Sequence, residues 1–198
     1  MKSMTRKLRG RYLRKAVVYF LTYCMIVNTW LPAVLALESA NVISSSGATP
    51  TQWGDHTIIN TDNGAIINWN NFNTSGAQSV TFNQYLGSEL SSMSAVLNRI
   101  SSGAIPTEFN GALAANGRVF IVNPAGIVFG AGSTVDVAQL VASSLDISDL
   151  NFGNGRYEFQ AGWASGAVTN NGAITATEGA VLIGQKILNA GTITTGPG

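Results

Sequence analysis

The sequence predicts an all-β chain wound as a parallel β-helix. Three observations carry this. Apolar residues alternate with polar ones at period two: Val80 and Phe82 with Ser79, Thr81 and Asn83, and Val135 and Val137 about Asp136. Asn-Gly recurs at 63–64, 110–111, 116–117, 154–155 and 171–172, and such pairs mark tight turns because both residues tolerate positive φ. An internal match decides between architectures: Val168-Thr-Asn170-Asn-Gly172-Ala-Ile174 repeats as Ile187-Leu-Asn189-Ala-Gly191-Thr-Ile193, offset by nineteen residues. A β-sandwich also uses short strands and glycine-rich turns, but it does not require a self-match of this length. A coil near twenty residues stacks on its neighbour at ~4.8 Å, so about eight coils and roughly 40 Å of stack fit residues 37–198.

The first 36 residues read as an export leader. Seven of the eleven basic residues (Lys2, Arg6, Lys7, Arg9, Arg11, Arg14 and Lys15) precede the uncharged run Ala16–Val27. Val34-Leu35-Ala36 then offers small residues for cleavage after Ala36. The competing reading is an uncleaved anchor, but the apolar run is shorter than the roughly 20 residues a span needs, and Asn28 and Pro32 interrupt its extension. Cys24 falls inside this leader, so the mature chain carries no cysteine.

From Leu37 onward, four basic residues (Arg99, Arg118, Arg156 and Lys186) face all ten acidic ones, a net charge of −6. No cationic patch is available for phosphates, which argues against a nucleic-acid partner. One His and one Cys give no metal-ligand cluster, and no metal or cofactor is expected. Along the mature chain the nearest helical spacing is Ser88–Ile100, where Leu90, Met93, Val96, Leu97 and Ile100 allow one or two turns. Tyr157 and Phe159 about Glu158 read as a further strand.

Arg118–Val122 is a strand candidate followed by Asn123-Pro124-Ala125-Gly126 and the apolar Ile127-Val-Phe129. Asn at i, Pro at i+1 and Gly at i+3 are the residues of a type I turn.

Ala115-Asn-Gly-Arg-Val-Phe-Ile-Val-Asn-Pro-Ala-Gly-Ile-Val-Phe-Gly-Ala-Gly132 resembles the signature of filamentous haemagglutinin N-terminal domains, the secretion domains of two-partner secretion (TPS) exoproteins. Ile67-Asn-Trp69, Val80–Gln84, Val96-Leu-Asn98-Arg99-Ile100, Leu140–Ser148 and Gly155–Phe159 follow in that family's order, so the likeness covers about residues 42–195. It implies a right-handed parallel β-helix with short extra-helical strands and hairpins. It implies a non-enzymatic role, and a partner: an outer-membrane barrel transporter with periplasmic transport-associated domains. The chain is expected to be secreted to the surface of a Gram-negative bacterium through the periplasm and to fold there. Residues Asn123, Pro124, Ala125, Gly126 and Ile127 become the secretion motif, with Asn116, Gly117, Asn98 and Arg99 in support. Ala125 departs from the family's usual Asn-Pro-Asn-Gly-Ile, and a second Asn-Pro-Asn-Leu motif is absent. Ala125 is tolerable if its backbone is in the ordinary helical or bridge region. Contact with a host or neighbouring-cell surface would come from downstream repeats. Because the pattern stops at Thr195-Gly-Pro-Gly198, the chain is expected to be C-terminally incomplete.

Two rival functions use the same architecture. A polysaccharide lyase or hydrolase needs clustered carboxylates, whereas the acids here are scattered about one per coil. Asp146 and Asp149 fall short of the six to eight oxygens of a calcium site and read as a solvated loop. His56 beside Asp55 lacks a nucleophile elbow. A stand-alone carbohydrate-binding adhesin would use Trp53, Trp69 or Trp163, of which at least two are expected to be buried.

Overall fold

The computed structural model describes residues 41–100, 105–162 and 166–196. The leader, Cys24 and Trp163 lie outside them. The described part begins with a hairpin of β1 (Val42–Trp53) and β2 (His56–Trp69). Gly54 at φ +57° opens its two-residue turn, the II′ arrangement that suits strand twist.

The free edge of β2 then starts the stack. Its first half pairs in parallel with β3 (Ser79–Leu86) and its second with β5 (Ala95–Ile100). Gly64, at φ +79°, is the corner between the halves. One column of inward positions runs Thr57, Val80, Leu113, Val135, Ile174 and Ile193, through β3, β7 (Ala112–Ala115), β10 (Thr134–Ser143), β12 (Ala173–Ile183) and β14 (Thr192–Thr195). A second runs Ala65, Val96, Val119, Leu140 and Ala180, through β5, β8 (Arg118–Val122), β10 and β12. A third side is built by β6 (Thr107–Phe109), β9 (Ile127–Phe129), β11 (Ala167–Asn170) and β13 (Lys186–Asn189), again all parallel.

This is a β-helix of three-sided coils, and the sandwich alternative is excluded by the parallel ladders. Among the described residues there are five windings and the first side of a sixth, roughly 24 Å of stack rather than 40. The expected eight over-counts because nineteen residues is the length of the last coil only. Successive members of the first column lie 23, 33, 22, 39 and 19 residues apart. The extra length is excursions that leave the stack between sides, notably the hairpin strand β4 (Glu89–Leu90) and the segment after Ser143. The repeat itself is correct: Val168 pairs with Ile187 and Asn170 with Asn189, whose side chains bond at 2.9 Å.

The interior is apolar, and aromatic on one side, where Phe72 stacks on Phe109 at 5.9 Å and Phe109 meets Phe129 edge-on at 6.1 Å. A second apolar cluster lies outside the coil. Leu97, Phe120 and Val141 point outward from β5, β8 and β10, and the excursion over 145–160 covers them with Ile147 and Phe152. Its short helix α1 (Asp149–Gly153) is N-capped by Ser148. Phe152 meets Phe120 edge-on at 5.2 Å.

That second cluster corrects two expectations. The helical spacing over Ser88–Ile100 belongs to β4 and β5. Val96, Leu97 and Ile100 are all buried because both faces of β5 are covered, and a strand covered on both sides loses its period-two pattern. Tyr157 and Phe159 do not form a strand; Tyr157 instead lays its ring 4.7 Å from Phe120. The Asn-Gly corners need a third correction. Gly64 and Gly155 have positive φ, but Gly111 and Gly172 do not. At Gly111 a Cβ would overlap the carbonyl oxygen of Gln78 in the coil beneath. Corner rests on corner, and the spacing between coils leaves no room for a side chain.

Candidate functional site

The turn after β8 is built as its residues predict. Gly126 N–H donates to the Asn123 carbonyl at 2.9 Å, closing a β-turn, and Asn123 Oδ1 accepts from Ala125 N–H at 3.0 Å. Ala125 does not have positive φ, so the substitution at that position is unstrained. Gly126 does, at +119°.

The turn is clamped between the coils on either side. Below it, Asn123 Nδ2 donates to Thr107 Oγ1 at 3.0 Å and to the Ile105 carbonyl at 3.2 Å, and Thr107 N–H donates to the Gly126 carbonyl at 3.0 Å. Above it, Asn123 N–H donates to the Ser143 carbonyl at 3.0 Å and Gly166 N–H to the Pro124 carbonyl at 2.9 Å. Asn123 is 1% exposed and Ile127 0%; Pro124 and Gly126 are buried and Ala125 is half-buried. None of the five side chains is ionisable, so the corner holds structure rather than acid–base chemistry.

Asn116 and Gly117 form another corner, at the opposite end of β8, with Gly117 roughly 20 Å from Asn123 at the strand rise. Asn116 Oδ1 accepts from Gln84 N–H at 2.8 Å, and its Nδ2 donates to the Gln84 and Ser91 carbonyls at 2.9 and 3.1 Å. Asn98 is fully buried, accepting from Trp69 Nε1 at 3.0 Å and donating to the Phe120 carbonyl at 3.2 Å. Arg99 lies beside Val122 in register, one coil below the residue that precedes the turn. It reaches Asp146 at 3.1 Å and Asp149 at 2.5 Å and also donates to the Ile147 carbonyl. Asp146 and Asp149 are therefore the anchor of the excursion, not a free solvated loop. The structure thus sets Asn98 and Arg99 beside Ile121 and Val122, the last residues of β8, and leaves Asn116 and Gly117 at that strand's other end.

Gln84 was not singled out, yet it is the centre of its corner. It is 0% exposed and its Nε2 donates to the Ser94 and Arg118 carbonyls, each at 3.0 Å, while Oε1 accepts from Gly117 N–H at 3.2 Å. The signal was available: a glutamine at the inward beat of Val80, Phe82, Gln84 must satisfy its amide inside. Trp69 is buried and Trp53 is 75% exposed. His56 Nδ1 and Ser79 Oγ lie 2.6 Å apart on an exposed face. Among the described residues no group of three or more His, Cys, Asp or Glu is placed to hold a metal ion.

Stacked parallel coils are what the resemblance implies, and the profile of the TPS secretion domain matches residues 38–197. The chain belongs to the TPS secretion domain family. The crystal structure of the HMW1 secretion domain from Haemophilus influenzae superposes with a TM-score of 0.71 at 34% identity, over 78% of this chain and 41% of that one. Two heme/hemopexin-binding proteins of Haemophilus influenzae are 33% and 28% identical over 135 and 95 residues, or 64% and 48% of this chain. The matched part spans only 14% and 10% of those relatives' length. The molecule is the secretion domain of a two-partner secretion exoprotein. TPS proteins are exported by Gram-negative bacteria with an outer-membrane transporter as partner, and TPS secretion domains are not known as enzymes.

Proposed function

We propose that residues 1–36 direct the chain into the periplasm and are removed after Ala36, leaving a mature domain from Leu37. There the transport-associated domains of the barrel partner take hold of the chain before its coils close. The Asn123–Ile127 segment then acts at the cell surface, as the corner on which the middle coils assemble. The burial of Asn123, Pro124, Gly126 and Ile127 supports this reading: in the folded domain little but Ala125 is offered to a partner. An extended, weakly charged, cysteine-free chain suits a narrow pore, and winding coil on coil outside opposes its return. Binding to a host or neighbouring-cell surface belongs, on this reading, to sequence beyond the matched part. The heme/hemopexin binding in the relatives' names is not carried to this chain, because the likeness covers so little of them.

Two substitutions separate folding from recognition. Asn123→Ala removes the clamp, and Ala125→Lys alters the half-buried tip. Co-expressed with the barrel, Ala125→Lys is expected to be exported at the wild-type level, and Asn123→Ala less, in step with its loss of thermal stability. The purified periplasmic region of the barrel should bind the chain freshly diluted from urea and not the folded chain. Loss of export in Ala125→Lys with an intact fold, or equal binding of folded and unfolded chain, would overturn the proposal.

A further inference from the structure

On the first side of the stack the outward positions of β2, β3 and β10 carry Asn60 and Asp62, Thr81, Asn83 and Tyr85, and Asp136, while Ile58 stands exposed in the row of Thr81, Ala114 and Asp136. Register sets Thr49 beside Asn60 and Asn60 beside Asn83, and Thr81 beside Ala114 beside Asp136. Asn83 Nδ2 donates to Asn60 Oδ1 at 3.0 Å. Two hollows flank this amide pair. One, of about 290 Å³, is lined by Thr49, Asn60, Asp62 and Tyr85. The other, of about 250 Å³, is lined by Thr81, Asn83, Ala114 and Asp136, with Leu90 of the β4 hairpin among its walls. From β1 to β10 the face crosses four strand intervals, roughly 19 Å.

We propose that this face is a binding groove for an extended, uncharged oligosaccharide. Amide, carboxylate and hydroxyl groups pair with the vicinal hydroxyls of a sugar. Tyr85 and Leu90 supply the apolar surface on which a pyranose C–H face rests. Ala114 keeps the floor of the second hollow low. Charge narrows the ligand class. Asp62 and Asp136 are the ionisable acids among the lining residues and no Lys or Arg is among them, so sulfate, phosphate and uronate are repelled. A peptide strand finds no free edge on the floor, because β2, β3, β7 and β10 are bonded on both sides. The groove binds without cleaving. Asp62 and Asp136 stand three strands and four residues apart, again roughly 19 Å, beyond the ~5–9.5 Å that glycosidic hydrolysis uses. This inference does not depend on how the chain is exported.

The test is titration of the isotopically labelled chain with maltohexaose, cellohexaose and chitohexaose, followed by backbone amide shifts. Hexagalacturonate and oligolysine serve as charged controls. At least one neutral hexasaccharide should give saturable shifts centred on residues 60–62, 81–85, 114 and 136. Its affinity should fall about tenfold in Tyr85→Ala and in Ala114→Phe, which fills the floor, with the unfolding midpoint unchanged. Absence of shifts with all three neutral sugars, shifts centred elsewhere, insensitivity to both substitutions, or tighter binding of either charged control would overturn the proposal.

Discussion

The indole N–H of Trp69 donates to Oδ1 of Asn98 at 3.0 Å, wholly inside the coil. The same asparagine donates to the Phe120 carbonyl, so one side chain ties the first, second and third coils together. Asn98→Ala leaves the Trp69 N–H without this acceptor and withdraws a donor from the Phe120 carbonyl in a buried setting. It should destabilise the domain by about 2–4 kcal/mol, read as a lower urea midpoint at unchanged m-value. Asn98→Asp should be no better, because it buries a charge.

The corner glycines separate crowding from conformation. A Cβ on Gly166 would overlap the Ala125 carbonyl, and there the neighbour is backbone that cannot step aside. Gly166→Val is expected to lose about 3 kcal/mol or more and to fail in export. Gly153 has nothing within 4 Å of such a Cβ and closes α1 without positive φ. Gly153→Ala should raise stability by about 0.5 kcal/mol, measured in the same urea series.

Arg99 holds the excursion rather than the coils. Its side chain is 14% exposed, but those of its partners Asp146 and Asp149 are 49% and 63% exposed, so screening keeps the pair's worth to about 1 kcal/mol. Arg99→Met should barely move the global unfolding midpoint. Amide exchange over 145–160 should nonetheless speed several-fold while β8 and β10 stay protected, and added salt should mimic this in the wild-type chain.

Ala125 is a neutral position in the turn. With its φ in the ordinary range, Ala125→Asn should change stability by less than about 0.5 kcal/mol. Thermal unfolding checks this directly; a gain above 1 kcal/mol would mean that the asparagine makes a bond the turn now lacks.

The sequence by itself determined the parallel coil, the pairing of Val168 with Ile187 and Asn170 with Asn189, and the turn at Asn123. Each rests on local chemistry: alternation along a strand, a side chain repeated where coils stack in register, and Pro and Gly at fixed turn positions. Tertiary structure decided the rest. Coil length was not legible because excursions leave the stack without disturbing the register of the strands that return. β5 looked helical because α1 and its neighbours cover the strand's outer face, which only the fold brings together. Asp146 and Asp149 looked free because their partner, Arg99, lies nearly fifty residues earlier in the chain. Local patterns encode how the backbone bends and which face is dry; which distant segment supplies that dryness, or the opposite charge, is settled only when the coils are laid on one another.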